Sequence, residues 1–213
     1  MTAGNDRHPM RVAGLLLAAG ESRRMGETNK LLLPVGRSRL LERSVALMAK
    51  SDLDPIVAVL GHHLEESAPI ISEAGVPFVI NNQYRDGQQS SLRVGLEALG
   101  NNLDACVVLL ADLPILRSDT LDTLHRAVQQ SPHAEAWVPV YGSAWGNPRA
   151  ISQSWCRRLR EDETLTSKQL FAAHRDQVET VAVDDPGVVR DIDTPEDYRA
   201  FLDELTRQGN GLH

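Results

Sequence analysis

Residues 15–30 read LLLAAGESRRMGETNK, an apolar run that stops at Gly20 and continues as a basic segment ending in Lys30. The apolar half is typical of a buried strand, and the small residues after it allow a ligand to approach the backbone closely. Backbone N–H groups in such a loop can bind an anion, and Arg24 and Lys30 add positive charge beside them. The stretch predicts a strand followed by a triphosphate-binding loop.

Two familiar phosphate-binding motifs do not fit this loop. Gly20 and Gly26 are one residue too far apart for a P-loop, and Glu27 follows where that motif needs lysine. The dinucleotide-binding fingerprint needs a glycine where Ser22 stands. The stretch is therefore either a phosphate-binding loop of another kind or a plain strand-to-helix turn whose arginines are solvated.

Apolar runs alternate with amphipathic segments along the chain. We predict strands at residues 10–17, 56–60, 76–80, 106–110, 178–183 and 188–192, and a less regular region beginning at residues 137–141. Helices are predicted at residues 40–50, 64–74, 90–99, 153–160 and 167–174, at residues 118–130 with Ser118 as cap, and after Thr194. This alternation is typical of a three-layer α/β/α sandwich with a Rossmann-like, mostly parallel mixed sheet. We expect one domain over residues 1–213, with residues 1–9 as a flexible tail.

Composition argues against several classes of function. The net charge of −7 disfavours general nucleic-acid binding, which usually needs a basic surface. No segment approaches the ~18 apolar residues of a membrane span, and the N-terminus lacks an apolar signal region. Cys106 and Cys156 do not have the spacing of a zinc site or a disulfide framework. We therefore expect a cytoplasmic protein that binds neither nucleic acid nor membrane.

Carboxylates follow two of the predicted strands. Asp112 comes just after the apolar run at residues 106–110, at the carboxyl ends of the strands, where ligands bind in parallel sheets. We therefore expect Asp112 on the same sheet edge as the loop that contains Gly20 and Lys30. It can hold Mg²⁺ against phosphate oxygens, or it can cap the next turn. Asp191 and Asp193 are two residues apart on extended chain and so point to the same side. We favour Asp191 as a second metal ligand, while Asp193 equally fits a ligand or a support for the following helix N-terminus.

Two further segments are candidates for binding. Gly87 and Ser91 lie at a turn entering a predicted helix, where Ser can contact a nucleobase or simply cap the helix. Residues 142–151, GSAWGNPRAI, contain the tripeptide Gly146-Asn147-Pro148, which a plain turn also explains.

Together these motifs resemble a known family. The pattern L-A-A-G-x-S-x-R-M-G followed by Lys, at residues 17–26 and Lys30, resembles the signature of enzymes that transfer a nucleoside monophosphate from an NTP. With D-x-P at residues 112–114, G-x-x-S-S-L at 87–92 and D-I-D-T-P-E-D at 191–197, the chain is similar to MobA-like NTP transferases, in particular to the molybdenum cofactor cytidylyltransferase branch. The resemblance implies a nucleotide-diphospho-sugar transferase-like fold, CTP and molybdopterin as substrates, Mg²⁺ as cofactor, and a molybdoenzyme client as a further partner.

The resemblance also implies roles for individual residues. Arg24, Lys30 and Asp112 would be catalytic, and Asp112 and Asp191 would hold the metal. The acceptor pocket would include Gly146, Asn147 and Pro148, with Asn147 where molybdopterin-handling relatives carry His. The residues implied to bind the nucleotide are Leu17, Ala18, Ala19, Gly20, Glu21, Ser22, Arg24, Lys30, Gly87 and Ser91.

The implied reaction transfers CMP from CTP to the terminal phosphate of molybdopterin and releases pyrophosphate. One alternative is a guanylyl- or sugar-phosphate nucleotidyltransferase with the same loop. Ala19 favours the CTP-using branch, whereas the three residues between Gly26 and Lys30 depart from close cytidylyl relatives, which usually have two. A second alternative is a chaperone that binds molybdopterin without turnover.

Overall fold

The structure, a computed structural model, describes residues 9–26 and 28–207. The predicted tail at residues 1–9 therefore lies outside the described residues except for Pro9. Within the described ranges, no helix combines the length and apolar character needed to cross a bilayer. The assignment of the whole chain to one domain stays a prediction.

One mixed sheet of eight strands runs through the described residues. In chain order the strands are β1 (Val12–Ala18), β2 (Pro34–Val35), β3 (Ser38–Arg39), β4 (Ile56–Leu60), β5 (Phe78–Ile80), β6 (Ala105–Leu110), β7 (Ala136–Tyr141), β8 (Ala144–Trp145), β9 (Arg149–Ser152) and β10 (Val178–Ala182). The order across the sheet is β10-β7-β9-β6-β1-β4-β5, with β8 paired to β7 and with β2 and β3 forming a separate hairpin. Strands β8 and β9 are antiparallel to their neighbours, and the other pairings of the main sheet are parallel.

Helices cover both faces of the sheet. They are α1 (Leu40–Ala49), α2 (Leu64–Glu73), α3 (Gln88–Leu99), α4 (Ser118–Gln130), α5 (Gln153–Glu161), α6 (Ser167–Ala173) and α7 (Pro195–Arg207). Strand β1 shows the layering, because Leu16 belongs to the same buried cluster as residues of α1, α2, α4 and α7, whereas Leu15 and Leu17 belong to the cluster that contains residues of α3, α5 and α6. A fully buried leucine contributes roughly 1.5–3 kcal/mol, so both layers depend on this central strand. The predicted α/β/α sandwich is confirmed.

The segment at residues 188–192, predicted as a strand, is not one. A 3₁₀ turn covers Pro186–Val189 instead. The Asp185 carboxylate accepts hydrogen bonds from the backbone N–H of Gly187 and Arg117, at 2.8 and 2.9 Å, and so caps the start of this turn. The apolar pattern reflects the burial of Val188 and Ile192 rather than strand pairing.

The region beginning at residues 137–141 is more regular than predicted. It forms β7, which contains Pro139, and then turns back through β8 into β9. Proline is uncommon inside a sheet, and β8 and β9 are too short to give a clear sequence pattern. The other predicted strands and helices are confirmed, although several of their ends shift by one or two residues. Ser118 is the first residue of α4 rather than its cap.

Candidate active site

The loop after β1 is held in an unusual backbone conformation. Ser22 has φ of 54°, the only positive φ outside glycine among the described residues. A left-handed residue of this kind typically costs about 1–3 kcal/mol and is found where the surrounding structure requires it. The Ser22 hydroxyl oxygen accepts a 3.3 Å hydrogen bond from the backbone N–H of Lys30. The hydroxyl therefore ties the start of the loop to its end.

The basic loop and two distant carboxylates converge at one edge of the sheet. Lys30 Nζ donates to Asp112 Oδ2 at 2.7 Å and to Asp193 Oδ1 at 2.8 Å. Arg24 Nη2 donates to the other oxygen of Asp193 at 2.6 Å. Arg24 and Lys30 lie on the loop after β1, and Asp112 lies just after β6. The carboxyl ends of these two parallel strands are where ligands bind in α/β sheets. The predicted convergence of Lys30 and Asp112 is therefore present.

Burial and charge compete at this cluster. Burial alone would lower the pKa of Lys30, but the attraction and hydrogen bonds of Asp112 and Asp193 raise it above its usual value. Burial would likewise raise the pKa of Asp193, but Lys30 and Arg24 lower it below the ordinary range. Burial, followed by the negative charges of Asp193 and Asp112, raises the pKa of Asp191. The site therefore holds Lys30 charged beside three carboxylates.

The same carboxylates suit a divalent cation that is also bound by phosphate. Asp112 Oδ1 is buried and has no hydrogen-bond partner among the described residues, which is unusual for a carboxylate oxygen and leaves it free to bind a cation. Within residues 9–26 and 28–207, no group of three or more His, Cys, Asp or Glu side chains is arranged to hold a metal by itself. Mg²⁺ usually takes only one or two carboxylates and completes its shell with phosphates and water. The donors present therefore fit a metal that arrives with a triphosphate.

Asp193 has a larger part in the site than the sequence suggested. Its carboxylate contacts both loop cations, whereas Asp191, the favoured ligand, affects the cluster through its charge. The helix-supporting role belongs to Thr194 and Asp197, which cap α7 reciprocally: Thr194 Oγ1 accepts from the Asp197 N–H at 3.1 Å, and Asp197 Oδ2 accepts from the Thr194 N–H at 2.7 Å. The carboxylate of Asp193 is thus not needed as a cap.

A cavity of about 320 Å³, here called the loop cavity, opens beside the cluster. Within the described part of the chain, a Cβ added to Gly20 would meet nothing within 4 Å, so the loop backbone is open to a ligand. Of the residues predicted to bind nucleotide, only Arg24 does not line the cavity, because its guanidinium lies on Asp193. Those that line it are Leu17, Ala18, Ala19, Gly20, Glu21, Ser22, Lys30, Gly87 and Ser91. Sequence reasoning missed Tyr84, Arg85 and Gln88, whose only signal was proximity to Gly87.

A second cavity of about 520 Å³, here called the basic cavity, adjoins the first. The two cavities share the lining residues Leu17, Gln88 and Leu110. The basic cavity carries three cations and two aromatic rings: Arg149, Lys168, Arg175, Trp145 and Phe171. The guanidinium carbons of Arg149 and Arg175 lie 5.0 Å from the ring centres of Phe171 and Trp145, respectively. Of the residues that the structure describes, no acidic side chain lines this cavity.

The predicted acceptor tripeptide is only partly in this cavity. Asn147 lines it, whereas Gly146 and Pro148 do not. Gly146 lies against Val188, whose backbone oxygen would be 2.6 Å from an added Cβ, so this glycine serves close packing. Trp145 and Arg149 flank the tripeptide and were within reach of sequence reasoning, but Lys168 and Arg175 had no sequence signal.

The fold and the paired cavities define a nucleotide-dependent group-transfer enzyme. A loop of open backbone and cations faces carboxylates across one sheet edge, and a second basic cavity lies beside it. Residues 14–189 match the family model of the MobA-like NTP transferase domain, and the chain belongs to this family. It is therefore a nucleotidyltransferase.

Three comparisons illustrate the relationship. The chain is 23% identical over 194 residues to the molybdenum cofactor cytidylyltransferase of Escherichia coli K12, covering 90% of this chain and 96% of the relative. It is 30% identical over 206 residues to the purine catabolism protein PucB of Bacillus subtilis 168, covering 87% and 93%. It also resembles the crystal structure of Rv0371c from Mycobacterium tuberculosis H37Rv in complex with manganese, with a TM-score of 0.73, 26% identity, and coverage of 91% and 98%.

Proposed function

We propose that this nucleotidyltransferase transfers CMP from CTP to the terminal phosphate of molybdopterin, releasing pyrophosphate. The observation that carries the proposal is the pair of adjoining cavities, of which the loop cavity is lined by the contacting side chains of Lys30 and Asp112. The loop cavity has the size and backbone character for a nucleotide, and the basic cavity would receive the acceptor. We also propose that the reaction takes place in the cytoplasm and that a molybdoenzyme receives the product.

The basic cavity supports an acceptor that is both flat and anionic. Trp145 and Phe171 offer ring faces and edges for a planar heterocycle, and Arg149, Lys168 and Arg175 offer positive charge. Molybdopterin combines a pterin ring system with a phosphate, so it matches both features. The similarity to the E. coli molybdenum cofactor cytidylyltransferase supports the same choice.

The proposed chemistry needs positioning more than acid–base catalysis. The second pKa of a phosphate monoester is about 6, so the acceptor phosphate is already a nucleophile at neutral pH. Its oxygen would attack the α-phosphorus of CTP in line, and the bond between the α-phosphorus and the bridging oxygen to the β-phosphate would break. Lys30 and Arg24 would exchange part of their contact with Asp193 for the pyrophosphate that leaves.

The roles of the remaining residues follow from their places in the cavities. Asp112, through its unpartnered Oδ1, and Asp191 would hold Mg²⁺. When bound, Mg²⁺ supplies charge neutralisation and orients the phosphate oxygens. Gly87 would present the open N-terminus of α3, where its φ of 93° requires glycine, and Ser91 would offer its hydroxyl to the base.

A pyrophosphate-release assay tests the proposal. Purified protein would be given CTP, GTP, ATP or UTP with Mg²⁺, each with and without molybdopterin. The proposal predicts release that requires molybdopterin and is fastest with CTP. Fastest release with GTP would instead identify a guanylyltransferase, and release with a sugar phosphate as acceptor would identify a sugar-phosphate nucleotidyltransferase. Binding of molybdopterin without release under any condition would support a chaperone.

A further inference from the structure

The turn that carries Lys30 is anchored to a helix outside both cavities. Lys30 begins a 3₁₀ turn, Lys30–Leu32, and Asn29 immediately precedes it. Asn29 is only 6% exposed, and its Oδ1 accepts a 3.1 Å hydrogen bond from the backbone N–H of Leu31. Its Nδ2 donates to Glu66 Oε2 at 3.0 Å, across 37 residues of sequence. The side chain thus shapes the turn and ties it to α2.

Glu66 is itself held in place by the first turn of α2. His63 Nδ1 lies 3.2 Å from the same Oε2 that Asn29 contacts. The His63 ring packs edge-on against His62 at a centroid distance of 4.4 Å, and His62 Nδ1 lies 3.2 Å from the hydroxyl of Tyr84. Since Tyr84 lines the loop cavity, the start of α2 contacts the Lys30 turn on one side and the wall of that cavity on the other.

We infer that Asn29 is a positioning residue for Lys30 and that Glu66 is its anchor on α2. The inference rests on the proposed function insofar as Lys30 acts on the substrate phosphates. Asn29 touches neither cavity and acts through the backbone of the turn, so its contribution is the placement of the Lys30 ammonium against Asp112 and Asp193. Misplacing a catalytic group by about 1 Å can cost on the order of 10²-fold in rate.

A reciprocal exchange of donor and acceptor tests this link. In Asn29→Asp, the carboxylate still accepts from the Leu31 N–H but faces the carboxylate of Glu66, so the anchor is lost. In Glu66→Gln, the amide oxygen still accepts from Asn29, so the anchor stays. In the double variant, the amide introduced at position 66 donates to the carboxylate introduced at position 29 and restores the hydrogen bond. Asn102→Asp, an exposed site in the loop before β6, controls for the change in charge.

The readouts are turnover and the accessibility of Lys30. We expect kcat to fall about tenfold to a hundredfold in Asn29→Asp, with a smaller change in KM for the nucleotide, and to recover in the double variant. Glu66→Gln and Asn102→Asp should remain close to the wild type. Amine acylation followed by peptide mass spectrometry should show that Lys30 loses protection in Asn29→Asp, relative to the exposed Lys50, and regains it in the double variant.

The acylation readout separates this inference from the proposed function, because it needs no substrate. Unchanged protection of Lys30 in Asn29→Asp, or a double variant whose Lys30 stays unprotected, would overturn the inference. An inactive wild-type protein with the expected protection pattern would overturn the proposed function and leave the positioning role supported.

Discussion

Replacing Lys30 by methionine removes the ammonium while keeping most of the side-chain volume. The wild-type ammonium makes hydrogen bonds of 2.7 and 2.8 Å to Asp112 and Asp193, and its side chain is 14% exposed. If Lys30 offsets charge on the leaving pyrophosphate, its loss should lower kcat on the order of 10²–10³-fold, the range measured for removal of one such donor.

The same change should also destabilise the fold. Hydrogen bonds to charged groups typically contribute about 1.5–3 kcal/mol, and partial exposure of the three side chains screens them. We therefore expect a loss of about 1–3 kcal/mol in the free energy of unfolding near pH 7, because Asp112 and Asp193 are left facing each other without Lys30.

The pH dependence of this loss follows from the directions of the pKa shifts. The pKa of folded Asp193 is lowered, so its stabilisation is present above the unfolded value of about 3.9 and is lost as pH falls through the folded pKa. The pKa of folded Lys30 is raised, so its stabilisation is present below about 10.4 and is lost as pH rises through the folded pKa. The difference between wild type and variant should therefore be largest between these values.

Chemical denaturation at several pH values and a pyrophosphate-release assay measure the two effects separately. Lys30→Arg is a suitable companion, because it keeps the charge but changes the geometry of the contact. Normal turnover in a folded Lys30→Met protein would refute the catalytic role. Equal stability of variant and wild type at pH 7 would refute the energetic reasoning, whatever the activity.

Three further predictions test other parts of the site and the core. Asp112→Asn should lower metal-dependent turnover on the order of 10²-fold or more with less effect on nucleotide binding in the absence of metal, as compared by calorimetry with and without Mg²⁺. Arg149→Leu should raise the acceptor KM severalfold and leave the KM for the nucleotide unchanged, because Arg149 lines only the basic cavity. Gly95→Ala should destabilise the fold by about 1–3 kcal/mol in thermal or denaturant unfolding, because the new Cβ would lie 2.9 Å from Val59 Cγ2 and closer still to Leu15.

The parts of the site that could be predicted from the sequence are those determined by the residues of a single short segment. The loop from Ala19 to Lys30 and the carboxylate of Asp112 each follow a strongly apolar strand, and parallel pairing of β1 with β6 brings the ends of these strands to the same edge. Length, apolar character and end residues are all local properties, which is why both strands and their shared edge could be predicted.

The remainder depends on contacts between distant parts of the chain. The local sequence does not show which of Asp191 and Asp193 contacts the loop cations. Asp193 does so because of where Arg24 and Lys30 lie on another loop. The segment at residues 188–192 has the apolar pattern of a strand, yet its first two residues belong to the 3₁₀ turn Pro186–Val189, which Asp185 caps. The cations of the basic cavity come from separate elements, so no short motif could reveal them.

The most direct test of the central claim follows the α-phosphate itself. CTP labelled at the α-phosphorus would be incubated with the protein, Mg²⁺ and molybdopterin, and the products would be separated and weighed by mass spectrometry. We expect the label to move into a cytosine dinucleotide of molybdopterin while unlabelled pyrophosphate is released, and Lys30→Met to slow both together. Label that remains in CTP, or that is released as free CMP with no adduct of the acceptor, would contradict it.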